Sequence, residues 1–198
     1  SYRIKVSKND DSFKNHSLDT NWRSYQCSYR AGGGVAIAAL AMASTYKASG
    51  DYTNADYLKA AENAFDFLER NDIAMTNDGQ ENILDDYCAL MAATELYKAT
   101  QNEKYKIAAE KRANSLMGRF TSWKNYRDYW RADDKDRPFF HPSDAGLPVV
   151  SLLEYYPYAT EATKGRIKTS VKRSFDFELA ITSEVNNPFG YSRQLTQD

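Results

Sequence analysis

The chain has 198 residues, and its 26 basic and 27 acidic side chains leave a net charge of −1. A length of roughly 100 to 200 residues suits one domain with a core of its own, so residues 1–198 are read as a single unit. The charges are spread along the chain, which excludes the electrostatic footprint of a nucleic-acid or anionic-membrane partner.

Two cysteines, Cys27 and Cys88, and two histidines, His16 and His141, fall in no CxxC or Cys/His ligand spacing. That excludes a structural zinc site, and no metal or cofactor is expected. The longest apolar run, Val35 to Ala43, is nine residues, far short of the roughly 20 that span a bilayer, and it reads as a buried helix. The opening Ser1-Tyr2-Arg3-Ile4 has neither an initiator Met nor a basic segment leading into an apolar one, and it reads as a processed or excised end. The closing Gln194-Leu195-Thr196-Gln197-Asp198 looks arbitrary in the same way, and no compartment is assigned. Fifteen Tyr, nine Phe and three Trp, many in polar stretches where burial cannot explain them, suit a sugar-binding surface.

Internal similarity organises the rest. Tyr46-Lys47-Ala48-Ser49 is echoed by Tyr97-Lys98-Ala99-Thr100, and Tyr57-Leu58-Lys59-Ala60-Ala61-Glu62 by Tyr105-Lys106-Ile107-Ala108-Ala109-Glu110, at an offset of about 50 residues. Each copy predicts a helix, a short polar turn and a second helix. In chain order the helices are expected near 33–49, 54–71, 83–100 and 103–120, then a weaker third pair near 146–157 and 160–185. Pro148 fits the first turn of the fifth, where a missing N–H costs nothing. No strand pairing is required.

The first helix of each pair is small and apolar, as in Cys88-Ala89-Leu90-Met91-Ala92-Ala93, and the second carries a Lys-, Glu- and Arg-rich face. The first set should form an inner ring and the second a half-solvated outer ring. The predicted fold is therefore all-α: an α/α toroid segment of three helical hairpins. Its inner helices point one way, so the loops before them, Ser24 to Gly34, Ile73 to Asp86 and Ser122 to Gly146, should converge on one face.

That face gathers the candidate binding residues. The Ser122 to Gly146 connection is long for a loop and holds Trp123, Tyr126, Tyr129, Trp130, Phe139, Phe140 and His141 among charged residues. Such aromatics either stack on sugar C–H faces or cap the hydrophobic core. Asp85, Asp86 and Asp144 stand at inner-helix starts. They face a common cleft, or they cap helix N-termini and suit the helix dipole. His141 donates to a substrate hydroxyl or is a satisfied structural histidine. Tyr29 and Arg30 lie at the mouth of the first inner helix beside Gly32-Gly33-Gly34. Those glycines lack P-loop or dinucleotide spacing and point to close backbone packing. Tyr191 and Arg193, after the Asn187-Pro188-Phe189-Gly190 turn, either reach a ligand or belong to ordinary turn chemistry. No GxSxG, HExxH or Cys/His dyad is present.

Four stretches, Tyr29-Arg30-Ala31-Gly32-Gly33-Gly34-Val35-Ala36-Ile37-Ala38-Ala39-Leu40, Ala93-Thr94-Glu95-Leu96-Tyr97-Lys98-Ala99-Thr100, His141-Pro142-Ser143-Asp144-Ala145-Gly146-Leu147-Pro148 and Asn187-Pro188-Phe189-Gly190-Tyr191, resemble glycoside hydrolase family 9 over about residues 24 to 194. The resemblance implies an (α/α)6 barrel and inverting hydrolysis of β-linked glucan or glucosamine chains, as in endoglucanases and exo-acting glucosaminidases. It also implies a base from an Asp-Ala-Gly-Asp stretch upstream and an acid Glu downstream, and neither is matched here. Asp144-Ala145-Gly146 echoes the base motif, but Leu147 stands where its second Asp would be. No catalytic role is carried onto Asp144, and the chain is expected to be a portion of the barrel that supplies substrate-binding loops. Remaining segments of the same barrel are its expected partners besides an oligosaccharide. Two other readings stand beside it: a helical module that binds carbohydrate without hydrolysing it, and a helical-repeat scaffold for proteins. A uronate-processing toroid would favour more basic residues than this chain has.

Overall fold

The computed structural model describes residues 27–48 and 50–196. The opening Ser1-Tyr2-Arg3-Ile4, His16, the start of the Ser24 to Gly34 loop, Ser49 and the closing Gln197-Asp198 lie outside the described residues.

Six α-helices in three hairpins make up most of the described residues. A π-helical turn (Tyr29–Gly33) leads into α1 (Gly34–Ala43), which pairs with α2 (Asn54–Met75). Next, α3 (Ile83–Thr100) pairs with α4 (Glu103–Met117). Finally α5 (Leu147–Tyr155), prolonged by a 3-10 turn (Tyr156–Tyr158), leads to α6 (Glu161–Ser183). The first two hairpins begin at residues 34 and 83, and their second helices at 54 and 103, so the repeat is 49 residues.

Local chemistry fixes most of these starts. Thr53 and Asp56 form a reciprocal capping box on α2, Asn82 and Asp85 another on α3, and Asn102 and Thr160 cap α4 and α6. Helix α1 stops about a turn and a half before the expected boundary. Its last carbonyls are taken by hydroxyls, Ser44 Oγ donating to Ala41 O at 2.7 Å and Thr45 Oγ1 to Met42 O at 2.7 Å. Asn54 Nδ2 then donates to Ser44 O at 2.9 Å, tying the end of α1 to the start of α2. Side chains that bond nearby backbone groups compete with helix continuation.

Helix α3 is the central element, packed against α1 on one side and α5 on the other. Its small residues Cys88, Ala89, Ala92 and Ala93 are buried and permit close approach. Tyr87 near its start meets Asp144 just before α5, and Lys98 near its end meets Glu154 near the end of α5. The inner helices α3 and α5 therefore run parallel. The outer helices also share a direction, since Tyr105 and Arg112 of α4 bond Glu62 and Glu69 of α2 in ascending order. Thr163 and Arg166 of α6 follow on Glu110 and Asn114 of α4 in the same sense. This is an arc of hairpins with parallel inner helices, as the repeat implies. No helix among the described residues is long and apolar enough to cross a membrane.

One part of the sequence-based expectation needs correction. The segment after α4 contains a β-hairpin, β1 (Phe120–Trp123) and β2 (Tyr126–Trp130), antiparallel with Phe120 opposite Trp130. Its residues are mostly aromatic and β-branched, types that fit a pleated, half-buried surface. Lys124 takes the left-handed conformation that the tight turn demands, with φ 53°. The Phe120 and Trp130 rings stack at 3.8 Å. Ile83 N, at the start of α3, donates to Ala132 O at 3.0 Å and anchors the hairpin to the inner ring.

Candidate functional site

The starts of the inner helices do meet. Arg30, in the turn before α1, donates its backbone N–H to Asp85 Oδ1 of α3 at 3.1 Å. Tyr87 of α3 donates its hydroxyl to Asp144 Oδ2, before α5, at 2.9 Å. Arg30, Asp85, Tyr87, His141 and Asp144 thus belong to one neighbourhood.

Within it, the deep layer is committed to structure. Asp85 is 0 % and Asp86 1 % exposed. Asp85 Oδ2 accepts from Asn82 N at 2.9 Å, completing the capping box, and lies 3.6 Å from Arg30 Nε. Burial pushes its carboxyl up to about 7, against the opposing N–H bonds from Asn82 and Arg30. Asp86 does not cap. It pairs with Arg119 Nε, accepts from Ser115 Oγ at 3.0 Å and lies 3.6 Å from Arg112 Nη1, locking α3 to the end of α4. Tyr29 is fully buried, its N–H bonded to Asp72 Oδ1 at 2.6 Å and its hydroxyl to Glu69 Oε1 at 3.0 Å, with the Arg112 guanidinium 5.2 Å from its ring centroid. Tyr29, Asp85 and Asp86 are thus enclosed and held by partners within the fold. Arg30 sits above them, its Nη2 held by Asp78 Oδ1 at 2.5 Å and Gln80 O at 3.0 Å.

The outer layer is built around Asp144, whose side chain is 29 % exposed. Helix α5 has no side-chain cap, so the capping reading of Asp144 fails. Its carboxylate instead takes two hydroxyls, Tyr87 on Oδ2 and Ser143 Oγ on Oδ1 at 2.8 Å. A carboxylate has about four lone-pair directions, so two remain for a ligand. Beside it, His141 Nδ1 accepts from the backbone N–H of Asp144 at 3.1 Å and of Ser143 at 3.4 Å. An Nδ1 that accepts places the proton of the neutral ring on Nε2. A ring N–H donor and a carboxylate acceptor therefore stand side by side, the complement of neighbouring sugar hydroxyls. The His141 backbone is held from the other side, its N–H donating to Gln194 Oε1 at 3.1 Å.

Trp130 lies deeper. It is 7 % exposed, stacked on Phe120, with its Nε1–H donated to Ser174 Oγ of α6 at 2.9 Å. A buried indole whose N–H finds a partner is a core residue, so Trp130 ties the hairpin to α6 and does not face solvent. Arg193 is exposed but engaged, with Nη1 donating to Ile181 O at 2.8 Å. The cavity between Trp130, Phe139, Ser174 and Arg193 measures about 30 Å³, room for a single water and not for a sugar ring. Tyr191 is 75 % exposed in a turn closed by Asn187, whose Nδ2 donates to Tyr191 O at 2.7 Å.

Sequence reasoning missed Tyr87, Ser143 and Gln194. The signal for Tyr87 was a tyrosine directly before the small, apolar Cys88-Ala89-Leu90-Met91-Ala92-Ala93 run of an inner helix, whose hydroxyl had to find an acceptor. Burial raises the Cys88 thiol to about 12, so it stays protonated and adds no nucleophile.

Three parallel inner helices, an outer layer of helices in the opposite sense and a polar face at the inner-helix starts define an α/α toroid. The comparison of sequences identifies which one. The model of Glycosyl hydrolase family 9 matches residues 8–173, most of the chain, and the chain belongs to that family of (α/α)6-barrel glycoside hydrolases. The three described hairpins correspond to half of the six in such a barrel. Among curated proteins, no significant match to the chain is found.

Proposed function

We propose that the chain supplies the sugar-binding face of an inverting glycoside hydrolase acting on β-linked glucan or glucosamine oligosaccharides, with residues 1–198 acting as one unit. The observation that carries this reading is the His141–Asp144 pair, an N–H donor and a half-open carboxylate fixed next to each other at the inner-helix starts. Arg30, Tyr191 and Arg193 border that end of the molecule, and Tyr29, Asp85, Asp86 and Trp130 support it from behind.

Inversion needs a carboxylic acid and a carboxylate about 6.5 to 9.5 Å apart across the scissile bond. Of the three candidate aspartates, Asp85 and Asp86 are enclosed and already bonded, which leaves Asp144 open to ligand. Asp144 is assigned the acceptor of a sugar hydroxyl, and neither the acid nor the base is assigned to it. The same enclosure favours a second reading in which this chain binds carbohydrate without cleaving it.

The two readings share one experiment. Cello- and chitosan-oligosaccharides are titrated calorimetrically into the chain and its Asp144→Asn variant, with release of reducing ends followed in parallel. Binding weakened about tenfold by Asp144→Asn, as expected for loss of a hydrogen bond to a charged group, with no reducing ends released, is the expected result. Turnover that Asp144→Asn abolishes would overturn the non-catalytic assignment, and affinity untouched by the substitution would overturn the site.

A further inference from the structure

We propose that Tyr87 is a positioning residue for carbohydrate recognition, its buried hydroxyl fixing the Asp144 carboxylate so that the remaining lone pairs face the ligand. The inference rests on the reading of Asp144 as a sugar contact and goes beyond it by assigning a residue that touches no sugar.

Tyr87 is fully buried in the first turn and a half of α3, and its ring packs against Phe139 at 6.1 Å. Phe139 in turn lies parallel to His141 at 6.4 Å, so one aromatic stack backs both polar groups of the outer layer. Burial, chiefly, drives the phenol far above its ordinary range, so at any working pH it is a donor. Its acceptor is Asp144 Oδ2, at 2.9 Å. A buried hydroxyl needs a partner, but a neutral acceptor would satisfy it. A carboxylate there instead leaves charge at the surface, with one oxygen anchored to the rigid inner helix and the other to Ser143 Oγ. Without the Tyr87 anchor, Asp144 hangs from an uncapped turn and its orientation rests on the exposed Ser143 alone. Fixing a hydrogen-bonding group before the ligand arrives lowers the ordering cost of binding.

A double-mutant cycle separates positioning from folding. Chitosan- and cello-oligosaccharides are titrated into the wild type, Tyr87→Phe, Asp144→Asn and the double variant, with thermal unfolding of each recorded. Tyr87→Phe should weaken affinity about fivefold to tenfold, in line with one hydrogen bond, while adding nothing in the Asp144→Asn background. Ser143→Ala, at an exposed position where folding is not at stake, should cause a smaller loss that likewise vanishes without Asp144. Equal loss from Tyr87→Phe in both backgrounds, with a matching fall in melting temperature, would make Tyr87 a structural residue only and overturn the proposal. So would unchanged affinity in Tyr87→Phe when Asp144→Asn is impaired, leaving the reading of Asp144 intact. Unchanged affinity in Asp144→Asn would remove that reading, and the proposal with it.

Discussion

Gly34 and Cys88 meet where α1 packs on α3: a Cβ at Gly34 would lie 2.6 Å from the Cys88 carbonyl oxygen. The obstacle is backbone at the centre of the inner ring, so it cannot swing aside. Gly34→Ala is expected to destabilise the fold by about 2 to 4 kcal/mol through overpacking and separation of the two helices. Gly165, in α6, has open space where a Cβ would go. There the same change should be neutral or stabilising by up to about 1 kcal/mol, from helix propensity and reduced unfolded-state freedom. Urea unfolding of both variants decides it, and equal effects would refute the close approach.

Asp86 is expected to behave as a structural residue. Replacing it by Ala leaves Arg119 and Arg112 buried with less compensation, and breaking a buried pair this way costs roughly 3 to 5 kcal/mol. The predicted phenotype is a large drop in stability. A stable Asp86→Ala chain with selectively impaired sugar binding would return the residue to the site.

Asp85 makes stability depend on pH in a defined direction. Its folded-state pKa, about 7, lies above the roughly 3.9 of an unfolded aspartate. The folded chain therefore holds this proton more tightly, and the resulting stability is complete below the unfolded value and lost as pH rises through about 7. Asp72, buried beside it and accepting from Tyr29 N, is shifted upward as well, chiefly by burial, and acts in the same sense. Asp78, lowered by its bond to Arg30, acts oppositely, but it is exposed and screened. Unfolding free energy should fall by a few kcal/mol, on the order of the shift, between about pH 4 and pH 8. Asp85→Asn should flatten much of that slope, and a slope unchanged in the variant would mean that other groups cause it.

These buried carboxylates show where reading the chain alone runs out. The caps at Thr53, Asn82, Asn102 and Thr160 are local, and the 49-residue repeat is visible as repeated words, so helices and hairpins follow from the sequence. Whether Asp86 faces a cleft or a guanidinium depends on Arg119, 33 residues later. Asp144 depends on Tyr87, 57 residues earlier. The burial of Trp130 was hidden for a related reason. Its polar neighbours suggested exposure, but the end of β2 is covered on both faces, Tyr129 and Trp130 being 3 % and 7 % exposed, and Trp130 meets Phe120 and Ser174.

Trp130 and His141 should accordingly fail in different ways. Trp130→Ala empties a stacked, hydrogen-bonded core position and should cost about 3 to 5 kcal/mol of stability, with sugar affinity preserved in whatever fraction stays folded. His141 is partly exposed, with its Nδ1 taken by the Asp144 backbone N–H. His141→Ala should weaken oligosaccharide binding by about 1 to 3 kcal/mol if a buried hydrogen bond is lost on the ligand side, with little change in stability. Because the inner helices are parallel, the turns at Asp51 and Asn102 belong to the opposite end of the array, so changes there should leave affinity alone. Asn102 caps α4, so the comparison uses Asn102→Ser, which keeps a side-chain acceptor for Lys104 N. Calorimetric titration of Trp130→Ala, His141→Ala, Asp51→Ala and Asn102→Ser with the same oligosaccharides, read beside their melting curves, assigns each residue to core, cleft or far end. Loss of affinity only at Asp51 and Asn102, or equally at both ends, would move the cleft away from the inner-helix starts.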